Sequence, residues 1–115
     1  MYSALDIANY IIEFSKKIGA PVSNLKLQKL LYYVQAAFLV ECNKKCFREK
    51  ILAWNYGPVV KEVYDYYKGY GRENILSNTQ YSELKFDFRN KKIVKKQQKV
   101  DRQAADLIEK VVVSY

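Results

Sequence analysis

Apolar residues recur at steps of three and four over much of this chain, which is the spacing of helices that bury one face. The first run follows Ser3, a residue type that caps helices, and stops before Gly19, which suits the position after a helix. The pattern predicts a helix over about residues 4–18. Its expected core residues are Ile7, Ala8, Ile11 and Ile12.

The most regular helical pattern comes next, with Ser23 or Asn24 available as its cap. It predicts a helix over about residues 24–42, packed against the first helix across a short turn. The two helices invite comparison with a DNA-reading helix-turn-helix, but the second one has few basic residues, so this is a minor hypothesis. Its core residues are expected to be Leu27, Leu30, Leu31, Val34 and Phe38, and its exposed side to carry Lys26, Gln28, Lys29 and Gln35.

Residues 47–56 show no helical period and are expected to form an irregular or extended connector. Within it, the residues expected to lie on the core are Ile51, Leu52 and Trp54. Gly57 and Pro58 predict the start of a third helix, because proline at the first helical position gives up no hydrogen bond. Its buried residues are expected to be Val59, Val60, Val63, Tyr64 and Tyr67.

After Tyr81 the period changes to two, with Leu84, Phe86 and Phe88 alternating with charged residues. We expect a short antiparallel β-hairpin near residues 82–97. Asp101 can then cap a last helix. The predicted fold class is α+β, mainly α, as a small bundle of about four helices with one hairpin.

The composition of the chain argues against several classes of function. The 115 residues suit one domain, half of them are apolar, and no stretch reaches membrane-spanning length or resembles a signal peptide, so a cytoplasmic location is expected. The chain has no histidine and only two cysteines, which leaves most hydrolase mechanisms and zinc sites without their usual residues. Cys42 and Cys46 are expected to be ordinary reduced thiols. We therefore expect no catalytic residues, no cofactor, no metal and no enzymatic activity.

Positive charge is concentrated between residues 85 and 102, a segment that contains eight Lys or Arg and two Asp. The formal net charge of the whole chain is +8. This segment is interpreted first as a solvated edge strand whose lysines prevent aggregation. The alternative is a basic patch that contacts nucleic-acid phosphates. That patch would consist of Lys91, Lys92, Lys95, Lys96 and Lys99.

Two phrases stand out: residues 27–33, LQKLLYY, and residues 53–60, AWNYGPVV. Most of their residues are explained as core or as helix entry. The remainder have polar or amphipathic tips that a core does not require, and exposed Trp and Tyr are frequent anchors of protein interfaces. The candidate protein-interaction residues are Lys29, Tyr33, Trp54 and Tyr56.

These phrases, with the tyrosines and glycines that follow up to Ile75, resemble the Panacea domain of the SocA-like antitoxin and phage-associated protein family. The likeness covers roughly residues 4–76. It implies that residues 1–115 are a single Panacea-like domain. Family members commonly continue with further helical sequence, which leaves open a truncation after Tyr115.

The resemblance implies a non-catalytic, mainly helical antitoxin that neutralises a cognate toxin by direct binding, as a proteolytic adaptor to a cytosolic protease or as a toxin chaperone. The alternative is a nucleic-acid-binding, phage-associated regulator that uses the basic segment. Nucleic acid is the less favoured partner, no membrane is expected, and the oligomeric state is left open.

Overall fold

The computed structural model describes residues 1–76, 83–87, 92–96 and 99–115, and the side chains of residues 1–76 and 99–115. Its helices are α1 (Ala4–Lys17), α2 (Asn24–Cys42), α3 (Lys61–Tyr67) and α4 (Arg102–Ser114), and a 3-10 turn at Lys68–Tyr70 follows α3. Its strands are β1 (Leu52–Trp54), β2 (Gly57–Val59), β3 (Glu83–Asp87) and β4 (Lys92–Lys96). The predicted α+β, mainly α, fold class is confirmed. None of the described helices combines the length and apolarity needed to cross a bilayer.

The first two helices begin where their caps predict. The Ser3 hydroxyl accepts a hydrogen bond from the Asp6 amide at 3.1 Å, and the Ser23 hydroxyl accepts one from the Lys26 amide at 3.2 Å. After α1, Gly19 has a φ of +76°, which glycine adopts without strain. The predicted bounds of α1 and α2 are thus confirmed to within one residue.

The core lies where α1, α2, α3 and α4 face one another. Every core residue predicted for the first two helices is buried. Beyond the core, β3 and β4 pair as the predicted hairpin, with Phe86 opposite Ile93. Phe88 and the other residues between the two strands lie outside the described residues.

The predicted entry of the third helix is wrong. Gly57 and Pro58 belong to β2, which pairs antiparallel with β1, and α3 begins only at Lys61. Val60 is still extended, with φ −94° and ψ 104°. Proline is tolerated here because a two-stranded ribbon has free edges that require no donor. The connector predicted to be irregular or extended over residues 47–56 is extended at β1, which forms a β-hairpin with β2.

Two tyrosines, one in α1 and one in the segment before it, tie the start of the chain to α4 and its N-cap. The Tyr2 hydroxyl donates to a carboxylate oxygen of Asp101 at 2.8 Å, and the Tyr10 hydroxyl donates to Glu109. Burial and this bond to Glu109 raise the pKa of Tyr10 to about 12. Tyr10 therefore remains a hydrogen-bond donor throughout the physiological pH range.

Acid is expected to weaken the start of α4 through Asp101. Hydrogen bonds from the Ala104 amide and then from the Tyr2 hydroxyl hold the pKa of Asp101 below its usual range. A carboxyl group with a lowered folded-state pKa stabilises the fold above its unfolded pKa, about 3.9, and this stabilisation is lost as the pH falls through the folded value. Asp101→Asn keeps an acceptor without titrating, so circular dichroism should show a smaller acid-induced loss of helix than in the parent chain.

Asp106→Asn is the matched control, since it removes an exposed carboxylate from the same helix without touching the cap. An acid profile of Asp101→Asn that superimposes on the parent profile would contradict this role for the cap.

Candidate protein interface

A buried glutamine joins the two sequence phrases. Gln28 is 1% exposed, and its carbonyl oxygen accepts a hydrogen bond from the Val60 amide at 2.8 Å. Its amide nitrogen donates to the Asn24 side chain at 3.0 Å, and Asn24 donates to the Tyr64 carbonyl at 3.0 Å. One chain of hydrogen bonds thus connects α2 to the residue after β2 and to α3.

Gln35, two turns further along α2, holds a second segment in the same way. Its carbonyl oxygen accepts from the amides of Cys46 at 2.8 Å and Phe47 at 3.2 Å, and its nitrogen donates to the Phe47 carbonyl at 2.8 Å. The prediction that Gln28 and Gln35 are exposed is wrong. Each satisfies backbone groups that no helix or sheet pairs, which is the usual condition for burying an amide. Their seven-residue spacing beside the apolar stripe was the available signal.

The hairpin of β1 and β2 projects Trp54 and Tyr56 towards solvent. Trp54 lies opposite Gly57, whose φ of +115° only glycine adopts easily, and its ring meets the Tyr64 ring edge-on at 5.3 Å. Tyr56, in the two-residue turn, is 78% exposed. Leu52 is 38% and Trp54 37% exposed, so the prediction that they lie on the core is wrong. Of the three residues predicted there, Ile51 does pack against the core.

The other two candidate residues lie on α2. Tyr33 stacks on Tyr115 with ring centres 4.1 Å apart and planes 16° apart. Lys29 is exposed and lies one helical turn before Tyr33. The neighbouring Lys26 donates to the Tyr115 carbonyl at 2.6 Å. The structure thus places Tyr33 and Lys29 beside the end of α4, and Trp54 against α3.

The hairpin and the end of α4 contact different sides of α2. Gln28 faces the hairpin and Tyr33 faces α4, and five residues of an α-helix turn through about 140° beyond a full circle. Two candidate surfaces therefore flank α2. The hairpin surface consists of Leu52, Trp54 and Tyr56. The α2–α4 groove has a volume of about 400 Å³ and a mainly apolar lining that includes Tyr33, Ala36, Ala37, Val40, Leu107 and Val111. Its charged lining residues are Glu41 and Lys110.

The basic patch is only partly described. Lys91 lies outside the described residues, Lys99 is exposed, and the remaining three lysines belong to β4. In the strand register Lys92 is opposite Asp87 and Lys96 is opposite Glu83.

Neither cysteine is disulfide-bonded. Cys46 is buried, and this burial raises the pKa of its thiol to about 12. A thiol with so high a pKa is a poor nucleophile at neutral pH. Cys46 thus has the surroundings of a structural residue.

Comparison with known proteins identifies the family. Residues 27–115 match the family described as antitoxin SocA-like, Panacea domain, so the match starts at the first residue of the LQKLLYY phrase and includes α4. The protein named antitoxin SocA from Caulobacter vibrioides (strain NA1000 / CB15N) is 34% identical over 71 residues, which are 62% of this chain and 38% of that protein. No solved structure matches. The chain belongs to the SocA-like antitoxin family and carries its Panacea domain.

Proposed function

We propose that this chain is a non-catalytic antitoxin module that neutralises a cognate toxin by binding it directly through the hairpin surface. Membership of the SocA-like antitoxin family supports the antitoxin role. The observation that carries the choice of surface is the exposure of Trp54 and Tyr56 on a hairpin whose base is fixed from inside the fold.

The hairpin surface has the properties of a binding anchor. Large aromatic residues dominate the energetics of protein interfaces, and they bind best when little freedom is lost on contact. The hydrogen bond from the Val60 amide to Gln28 holds the end of the hairpin, and the Trp54 ring contacts the Tyr64 ring edge-on. A partner would therefore meet a preformed aromatic surface.

Charges of both signs border this surface. A cavity of about 670 Å³ next to Leu52 is lined by Arg48, Glu49, Lys50, Lys61, Glu62 and Asp65. Interfaces commonly surround an apolar centre with a polar rim of this kind, where charges contribute more to specificity than to affinity. The toxin is thus expected to present an apolar pocket for the aromatic rings and a mixed-charge rim around it.

The proposal is tested with the product of the neighbouring open reading frame as the candidate toxin. Producing it alone should arrest growth, and producing it with this protein should restore growth. Tyr56→Ala with Trp54→Ala should abolish the rescue, because losing an interface anchor costs about 2 kcal/mol or more, which is roughly a 30-fold weaker Kd. Calorimetric titration of the purified pair measures that loss.

Val113→Ala is the matched control, since Val113 is an exposed apolar residue on α4, away from the hairpin. Thermal denaturation checks that the Trp54 change leaves the fold intact, and Tyr56→Ala alone should leave it unaffected. A harmless neighbouring product would overturn the antitoxin role. Full rescue by the folded double variant would overturn the hairpin surface.

Two finer roles make different predictions for the same experiment. If the protein is a proteolytic adaptor, the amount of toxin should fall when both are produced, and it should recover in a strain lacking the protease. If it is a chaperone for the toxin, the amount of soluble toxin should rise. Immunoblotting against the toxin distinguishes the two.

A further inference from the structure

The α2–α4 groove runs between two antiparallel helices. Lys26, near the start of α2, bonds to Tyr115, just after α4, while Cys42 at the end of α2 and Gln103 at the start of α4 line one cavity. Ala36 and Ala37 leave the groove floor without long side chains. Val40, on its wall, is 83% exposed. An apolar channel between two helix walls is the shape that receives a third helix.

The outer face of α2 continues this apolar surface. Leu25, Tyr32 and Leu39 are all exposed and follow one another at intervals of seven residues. Ala36 lies four residues after Tyr32 and four before Val40, so the exposed row adjoins the groove. An outer helix face is normally polar, and apolar residues at seven-residue intervals are typical of a seam against another helix.

Positive charges without partners flank this seam. The ion pairs among the described residues involve Lys16, Lys61 and Arg102. Within that part of the chain, neither Lys29 on α2 nor Lys110 on α4 has an ion pair. A second copy of this chain would bring the same lysines and a net charge of +8. Acidic side chains on a partner would instead be opposite in charge to Lys29 and Lys110, while Glu41 supplies one negative charge in the groove lining.

We propose that the α2–α4 groove docks an amphipathic helix of a protein partner, with its apolar stripe in the groove and acidic residues along its edges facing Lys29 and Lys110. This goes beyond the proposed toxin contact, because the hairpin surface lies on the other flank of α2. A partner bound here leaves Trp54 and Tyr56 free. The two surfaces therefore allow one chain to hold two protein segments at once.

The test uses the full chain and a designed helical peptide of about 15 residues, with leucines at helical spacing and glutamates on both edges. One comparison peptide has the same residues in scrambled order, and another has lysines in place of the glutamates. Fluorescence anisotropy should show the acidic peptide binding at least about tenfold more tightly than either. Amide shifts in NMR spectra should cluster at Val40, Leu107 and Val111.

Charge reversal supplies the matched variants. Lys29→Glu with Lys110→Glu should reverse the preference in favour of the basic peptide, whereas Lys17→Glu, an exposed reversal on α1, should leave it unchanged. Equal affinity for all three peptides would overturn the proposal, as would shifts confined to the hairpin. Self-association that Val40→Glu abolishes would also overturn it, by assigning the groove to a second copy. None of these outcomes depends on toxin rescue, so the two proposals fail separately.

Discussion

Replacing Gln28 with methionine is expected to lower the free energy of unfolding by about 2 to 4 kcal/mol, although the side-chain volume hardly changes. The substitution removes the acceptor for the Val60 amide and the donor to Asn24, both in a region closed to water. A buried polar group left unpaired costs about 1 to 3 kcal/mol. Urea denaturation followed by circular dichroism measures the change.

Lys29→Met provides the matched control, because it places the same side chain at the adjacent exposed position and should change stability by less than about 0.5 kcal/mol. Hydrogen exchange adds a local measurement. In Gln28→Met the Val60 amide should lose protection more than the amides of α1. Unchanged protection at Val60, with unchanged unfolding energy, would show that Gln28 does not hold the hairpin.

Leu30→Ala is expected to destabilise the protein by about 2 to 5 kcal/mol. Leu30 is 1% exposed and belongs to the central core cluster, so removing its side chain loses apolar burial and leaves a cavity. The midpoint of urea denaturation should fall while the slope of the transition stays the same.

Leu25→Ala makes the same chemical change on the same helix at an exposed position, and it should be nearly neutral. Equal effects of Leu25→Ala and Leu30→Ala would mean that the assigned faces of α2 are incorrect.

Helices with a cap and a regular stripe were predictable from sequence. For α1 and α2 the capping serine, the apolar spacing and the end signals all agree, so local preference and tertiary packing favour the same bounds. The start of α3 was not predictable in this way. A Gly-Pro pair fits both a helix entry and a strand in a free-edged ribbon, and a contact with Gln28, 32 residues away, decides between them.

The candidate interface was predictable only in part. The aromatic character of Trp54 and Tyr56 marked them as exceptions to a simple core, and both are exposed. Gln28 was predicted to be exposed because amide side chains usually lie on the surface. Only the fold shows that its carbonyl oxygen meets the Val60 amide, which is not paired in a helix or sheet. The groove was not predicted, because exposed Val40 looks like an ordinary member of an apolar helix until α4 is placed beside it.

The tyrosine contacts between α1 and α4 also affect how the protein is made. Tyr2 with Asp101, and Tyr10 with Glu109, each join residues 99 positions apart. A ribosome releases α1 long before α4, so Ile108 and its buried neighbours on α4 reach the core last. Until they do, the nascent chain exposes the surface that α4 later covers, and such intermediates are prone to aggregation and degradation. We therefore expect a newly made chain to gain resistance to proteases when α4 docks.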